Sequence, residues 1–162
     1  MDSCSVILLA KASVLETVLD NYPVSVTLEV FDEVMKGKAQ KFQDALLFER
    51  LHNLKKIKII KANLKLSEKI KQDFNMGKGE ASVIAAGIGE KETIVATDNR
   101  QGRKAALINN FHLIGSIELV VILYKRKKIN HDKAIHSLKI LEQEGWFDPN
   151  LIQKAKEDLH YD

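Results

Sequence analysis

Cysteine, proline and aromatic residues are scarce in this sequence, and it has no long apolar run. The single cysteine, Cys4, excludes an internal disulfide and any zinc site built from several cysteines. The five histidines are scattered, without the spacing of a zinc-binding motif. The most apolar stretch, 117–124, is interrupted by Glu118 and is too short to cross a bilayer. No basic region precedes an apolar one at the amino terminus, so we expect a cytoplasmic protein.

The composition that remains is that of an ordinary soluble protein. The chain has 162 residues, 45% of them hydrophobic and 29% charged, which predicts one compact domain spanning 1–162. The formal net charge is only +3, so bulk electrostatics permits a nucleic-acid partner without requiring one. Charge alone therefore does not identify the function.

Short apolar segments alternate with amphipathic segments along the chain. The strands are predicted at 24–26, 57–60, 93–97 and 112–114. The helices are predicted at 2–20, 28–36, 38–54, 64–74, 80–88, 100–109, 116–124, 132–143 and 150–159, with Thr27 and Ser116 as N-caps. Because the strands are separated by helices and no tight hairpin is visible, this order predicts an α/β fold with a parallel sheet flanked by helices.

Four carboxylates stand at informative places in this pattern. Asp98 directly follows the strand 93–97, at the end of a sheet where α/β proteins place their ligand crevices. Glu80 opens a helix after a Gly-Lys-Gly turn, Glu33 lies in the helix after Thr27, and Asp2 opens the first helix. Each acid also has a purely structural interpretation, as a helix cap, a partner of a helix dipole or a solvated helix surface.

Together, the four acids indicate a site for a hard divalent cation. Several carboxylates without histidine or cysteine partners favour Mg²⁺ or Mn²⁺, which prefer oxygen ligands. Without a cation, clustered carboxylates repel one another and raise each other's pKa. Such ions bind phosphate oxygens and lower the pKa of a bound water, which is the chemistry of phosphodiester hydrolysis.

Four sequence blocks give the chain a resemblance to PIN-domain proteins, a nuclease-like family that includes VapC-like toxins of toxin–antitoxin pairs. The blocks are DSCSVILLAKA at the start, VFDEV, GKGEASVIAAG and ATDNRQGRKAA, followed by the downstream segment HLIGSIELVVILYKRKKI. They occur in the family's order and span nearly the whole chain. The resemblance implies a PIN-like α/β/α sandwich with a central, mainly parallel sheet.

The same resemblance implies an activity and a set of site residues. The activity is Mg²⁺- or Mn²⁺-dependent cleavage of single-stranded RNA, with an antitoxin protein and a second copy of the chain as further partners. The implied catalytic and metal-binding residues are Asp2, Glu33, Glu80 and Asp98. Thr97, Asn99, Arg100 and Arg103 are candidates for orienting water or phosphate, and for the two arginines a surface or salt-bridge role is an equal alternative.

The chain departs from the family pattern at three places. Asn99 stands where many relatives have a second aspartate, which predicts weaker metal binding if that position contributes a ligand. Cys4 stands where serine or asparagine is usual. We expect the central strand that leads into the first aspartate to be missing or truncated, since only Met1 precedes Asp2. We expect an in-frame apolar extension, if one is encoded upstream, to raise the stability.

These departures leave two other functions open. One is a catalytically weak PIN-like module that binds RNA or a protein partner without cutting. The other is a phosphodiesterase that acts on DNA, because no residue that would read the RNA 2′-hydroxyl can be identified from the sequence.

Overall fold

The computed structural model describes residues 1–90 and 92–160, in which short strands alternate with helices. The strands are β1 (Ser25–Thr27), β2 (Lys58–Ile60), β3 (Ile94–Ala96) and β4 (His112–Ile114). The helices are α1 (Ser3–Lys11), α2 (Leu15–Asn21), α3 (Leu28–Lys36), α4 (Gln43–Asn53), α5 (Leu64–Phe74), α6 (Lys78–Gly87), α7 (Arg100–Ile108), α8 (Ser116–Lys125), α9 (His131–Glu144) and α10 (Pro149–His160). The predicted α/β class is confirmed.

The strands pair in parallel, as predicted, and form two separate two-stranded sheets. Strand β1 pairs with β2, with Val26 opposite Ile59, and β3 pairs with β4, with Val95 opposite Leu113. Each parallel pair is joined through helices, as parallel strands require.

The first two residues lie between the two sheets. The Met1 ammonium donates to the carbonyl oxygen of Ser25 in β1 at 3.0 Å, and the Asp2 amide donates to the carbonyl oxygen of Ala96 in β3 at 3.0 Å. This two-residue segment therefore bridges β1 and β3 with one hydrogen bond to each. This bridge fixes Asp2 beside the end of β3.

Helix α6 holds the two sheets together on one face. It packs against both β1 and β3, and also against α3, α5 and α7. Helix α1 packs against α2, α3, α4, α8 and α9. The largest side chains buried between these elements are Phe48, Leu9, Leu15, Leu51, Ile84, Ile117, Leu123, Leu138, Leu141, Ile152 and Leu159. Because α1 and α6 both begin near the carboxyl ends of β1 and β3, their first turns can supply side chains to one site.

Two predicted helices differ in extent from the helices of the structure. The predicted helix 2–20 ends at Lys11, where Ser13 adopts a left-handed conformation (φ 56°) and the Val14 amide donates to the Leu9 carbonyl. The predicted helix 38–54 begins only at Gln43, after a 3-10 turn at Gly37–Gln40 and a left-handed Lys41. Apolar spacing continues across both breaks, so periodicity alone could not locate them.

No helix in the described part of the chain is long and apolar enough to span a membrane.

Candidate active site

Asp2 is a buried carboxylate fixed at the N-cap of α1. Only 1% of its surface is exposed, and its Oδ1 accepts from the Ser5 amide at 2.8 Å. Its Oδ2 accepts from the hydroxyl of Thr97, the residue that follows β3. Burial raises the pKa of Asp2, hydrogen bonds from Thr97 and Ser5 oppose that rise, and the negative charge of Asp98 adds to it. The capping interpretation of Asp2 is thus correct, and it coexists with a position beside Asp98.

Asp98 accepts hydrogen bonds from two different helices. The Ser5 hydroxyl in α1 donates to Oδ2 at 2.8 Å. From the start of α8, the Ser116 amide donates to Oδ1 at 2.8 Å and the Ser116 hydroxyl to Oδ2 at 2.5 Å. Asp98 is therefore held between the first turns of α1 and α8, at the carboxyl end of β3.

The cap of α7 is Asn99, and the structural interpretation of Asp98 as that cap is wrong. Asn99 Oδ1 accepts from the amides of Gln101 at 2.7 Å and Gly102 at 3.0 Å. The asparagine satisfies the free amides of the helix, so the neighbouring carboxylate is left to face α1 and α8.

Ser116 is likewise not the N-cap that the sequence suggested. Gly115 is the cap of α8, and its amide donates to Glu118 Oε2 at 3.1 Å. Ser116 is the first helical residue, fully buried, and both its amide and its hydroxyl are directed at Asp98.

Glu33 and Glu80 both accept hydrogen bonds from backbone amides at the start of α6. Glu33 Oε1 accepts from the Gly79 amide at 2.9 Å, and its Oε2 accepts from the Ser3 hydroxyl of α1 at 2.8 Å. Glu80 Oε2 accepts from the Gly77 amide at 2.9 Å. A Cβ at Gly79 would collide with the Glu33 carboxylate, lying 2.6 Å from Cδ and 2.8 Å from Oε1. Because position 79 is glycine, the Glu33 carboxylate of α3 can come close enough to α6 to accept from the Gly79 amide.

The four acids interact electrostatically as one cluster. Burial raises the pKa of Glu80, the Gly77 hydrogen bond opposes that rise, and the charges of Asp2 and Glu33 add to it. The Cys4 thiol is affected by three of the same acids. Burial is the main cause that raises its pKa to about 12, and the negative charges of Asp2, Asp98 and Glu80 add to that rise. The structure thus brings all four predicted acids to one region.

The donor set fits a hydrated divalent cation. Among the ion pairs of residues 1–90 and 92–160, none joins a lysine or arginine to any of the four acids. The Met1 ammonium interacts electrostatically with Asp2, but burial lowers the pKa of that ammonium and so disfavours its charged form. Residues 1–90 and 92–160 also contain no group of three or more acid, histidine or cysteine side chains already close enough to ligate one ion directly. An ion that keeps part of its water shell, as Mg²⁺ usually does, suits acids spaced in this way.

The predicted substrate-binding residues follow β3 in order. Thr97 is buried, with its hydroxyl on Asp2, and Asn99 caps α7. Arg103 donates from Nη1 to the Thr97 carbonyl at 3.3 Å, and its Nη2 lies 3.6 Å from Glu118. Arg100 is exposed. Of the two arginines, Arg103 lies nearer the acids.

The sequence interpretation missed the residues that hold the acids. These are Ser3, Ser5, Gly77, Gly79 and Ser116. Ser3 and Ser5 were visible one and three residues after Asp2, but the partners of Ser5 include an acid 93 residues away. A contact between residues so far apart in the sequence leaves no local sequence pattern.

Comparison with known families identifies the class of this α/β protein. A family model described as a PIN domain matches residues 1–160, and the chain belongs to the PIN-domain family. PIN domains are generally nucleases and typically use divalent metals. No curated protein and no solved structure matches the chain significantly.

Proposed function

We propose that the chain is a Mg²⁺- or Mn²⁺-dependent endoribonuclease that cleaves single-stranded RNA. The observation that supports the proposal best is the convergence of Asp2, Glu33, Glu80 and Asp98 from four separate elements. Their electrostatic coupling, with no lysine or arginine ion-paired to them among residues 1–90 and 92–160, favours a site for an external cation. A nuclease fold with such a site needs a phosphodiester substrate.

The residues of the chain have distinct tasks in this proposal. Asp2 and Asp98 would hold a divalent ion at the end of β3, and Glu33 and Glu80 would hold it from the α3 and α6 side. An ion held there would supply positive charge to a phosphate group and an acidified water for phosphodiester hydrolysis. Arg103 reaches an RNA phosphate next to Asp98, where its planar fork can bind two oxygens.

The remaining predicted substrate residues act through their neighbours. Thr97 keeps the Asp2 carboxylate oriented by its hydroxyl. Asn99 keeps the first turn of α7 in place, and that turn carries Arg100 and Arg103 at the rim of the site. Arg100 is exposed there and offers a second, weaker contact to the RNA backbone.

RNA cleavage with Mn²⁺ and with a chelator tests the proposal. Wild type is expected to cut single-stranded RNA only with the ion, while Asp98→Asn and Glu80→Gln are expected to lose most of that activity. Asp132→Asn is the matched control, because Asp132 has a side chain 99% exposed in the first turn of α9. Equal cleavage by all four proteins, or cleavage in chelator, would contradict the metal-acid mechanism.

A catalytically weak RNA-binding module is the second candidate function. It is favoured by one observation, that the acids of the described residues face neutral donors and do not yet form a direct ligand group. RNA binding by wild type without Mn²⁺-dependent cleavage would support it. Single-stranded DNA of the same sequence in a parallel assay decides between RNA and DNA as substrate.

A toxin role and further partners rest on the resemblance to VapC-like proteins. We propose an antitoxin protein as one partner and a second copy of the chain as another. A reading frame for a short DNA-binding protein directly upstream, together with a stable complex of the two purified proteins, is the expected support. Cells that tolerate the chain alone at high level would contradict the toxin role.

A further inference from the structure

Ser5 is the residue that contacts both aspartates of the site. Its surface is 0% exposed. Its amide donates to Asp2 Oδ1 at 2.8 Å, and its hydroxyl donates to Asp98 Oδ2 at 2.8 Å. The two carboxylates therefore share one buried anchor, although Asp98 is 93 residues away from Ser5 in the sequence.

The hydrogen bond from the Ser5 hydroxyl links the Asp98 carboxylate to α1, the helix that Asp2 caps. The other donors to Asp98 are the amide and hydroxyl of Ser116, which belong to α8. Without the Ser5 hydroxyl, the Asp98 carboxylate would accept only the hydrogen bonds from α8, and its orientation toward Asp2 would no longer be fixed by a residue that binds both carboxylates. The Asp2 carboxylate would keep its bonds to the Ser5 amide and to Thr97.

We propose that Ser5 is a positioning residue that fixes the spacing of the Asp2 and Asp98 carboxylates and thereby sets the affinity of the site for its divalent ion. This inference rests on the proposed function, because it takes the acids to be cation ligands. Mg²⁺ accepts only near-ideal octahedral geometry, so a carboxylate that is free to shift binds it less well. Loss of a hydrogen-bond partner behind a metal ligand typically lowers metal affinity about 10- to 100-fold.

The test measures binding of Mn²⁺ by titration calorimetry on the intact chain, without relying on activity. Ser5→Ala is expected to bind Mn²⁺ about tenfold more weakly than wild type. Ser5→Thr, which keeps the hydroxyl, is expected to recover most of that affinity. Thermal unfolding of each variant without metal shows which of them are folded.

Ser137→Ala is the matched control. Ser137 is also 0% exposed, and its hydroxyl makes one hydrogen bond, to the Ala12 carbonyl at 3.0 Å, within the α1 and α9 packing. Its loss removes a buried hydroxyl of the same kind away from the acids. Ser137→Ala is therefore expected to lower the melting temperature while leaving the Mn²⁺ affinity at the wild-type value.

The outcomes separate this inference from the proposed nuclease function. Wild-type Mn²⁺ affinity in Ser5→Ala, or an equal loss in Ser137→Ala, overturns the role of Ser5. If Ser5→Ala does not fold, Ser5→Cys replaces it, since a thiol keeps the shape and is only a weak donor; it is expected to show the same loss. Wild type that binds Mn²⁺ without cutting RNA overturns the nuclease alone, and wild type that binds no Mn²⁺ overturns both.

Discussion

The two aspartates and the two glutamates of the candidate site differ in how far they depend on side-chain donors. Asp2 and Asp98 accept from the hydroxyls of Thr97, Ser5 and Ser116, and also from the amides of Ser5 and Ser116. Glu33 and Glu80 accept from backbone amides at the start of α6, and Glu33 also accepts from the Ser3 hydroxyl. Hydroxyls can be removed one at a time by substitution, whereas backbone amides stay in place as long as the helix forms.

This difference indicates which substitutions would disturb the hydrogen bonds of each pair. The aspartate pair depends on a few serine and threonine side chains brought together from distant parts of the chain. The glutamate pair depends more on backbone amides, and at position 79 it depends on the absence of a side chain, because a Cβ there would meet the Glu33 carboxylate. The positive end of the α6 dipole also favours carboxylates at this turn.

The largest expected effect is that of Gly79→Ala on the glutamate pair. The new Cβ would occupy the place of the Glu33 carboxylate, which is the far end of a flexible side chain and can turn away. We therefore expect Mn²⁺ affinity to fall about tenfold, as for loss of a ligand's support. Stability should be unchanged or should rise by up to about 1 kcal/mol, since alanine is a better helix former than glycine.

Gly77→Ala is the matched control for that substitution. A Cβ at Gly77 would lie 3.5 Å from Glu80 Oε2, an ordinary van der Waals contact. Alanine at this N-cap is expected to cost less than about 1 kcal/mol and to leave Mn²⁺ affinity unchanged. Calorimetric titration and thermal unfolding of both variants check the pair. Equal affinities for the two variants would show that Glu33 does not contribute to ion binding.

A smaller effect is expected in the pH dependence of stability without metal. The raised pKa of Glu80 means that its protonated form is favoured in the folded state. Its contribution is fully present below the ordinary glutamate value of 4.5 and is lost as the pH rises through the higher folded pKa. In chelator, the stability of wild type relative to Glu80→Gln should therefore fall as the pH rises from 4.5.

Urea unfolding of both proteins at several pH values between 4.5 and 7.5 measures this difference. A difference that stays constant over the range would show that Glu80 titrates alike in the folded and unfolded chains. Saturating Mn²⁺ should flatten the dependence in wild type, because the ion lowers the pKa of the carboxylates that bind it.

The sequence was sufficient for the fold class because local patterns and fold agree through most of the chain. The helix Leu64–Phe74 and the strand His112–Ile114 were predicted with their observed bounds. Thr27 was predicted as a cap and its hydroxyl accepts from the Val30 amide. The breaks at Ser13 and Lys41 could not be predicted, since a left-handed residue other than glycine leaves no compositional mark.

Of the candidate site, only the acids could be predicted from the sequence. Strand order placed Asp98 at a sheet edge, the family resemblance added Asp2, Glu33 and Glu80, and all four lie in one region of the structure. The hydrogen bonds that orient them depend on tertiary contacts, such as that between Ser5 and Asp98. The caps of α7 and α8 were assigned one residue away from their true positions, because several polar residues adjoin each helix start and only geometry distinguishes them.

The smallest expected effect is that of Asn99→Asp, which adds the acid that the family resemblance predicts at this place. Asn99 Oδ1 faces the amides of α7, and aspartate is an equally good N-cap, so stability should change by less than about 0.5 kcal/mol. Mn²⁺ affinity should change less than about threefold, because the half-exposed added charge is screened by solvent. Asn99→Ala, which loses the cap, should cost about 1 kcal/mol in urea unfolding. A tenfold gain of Mn²⁺ affinity in Asn99→Asp would instead show that this side chain reaches the ion, and that its missing charge weakens the aspartate side of the site.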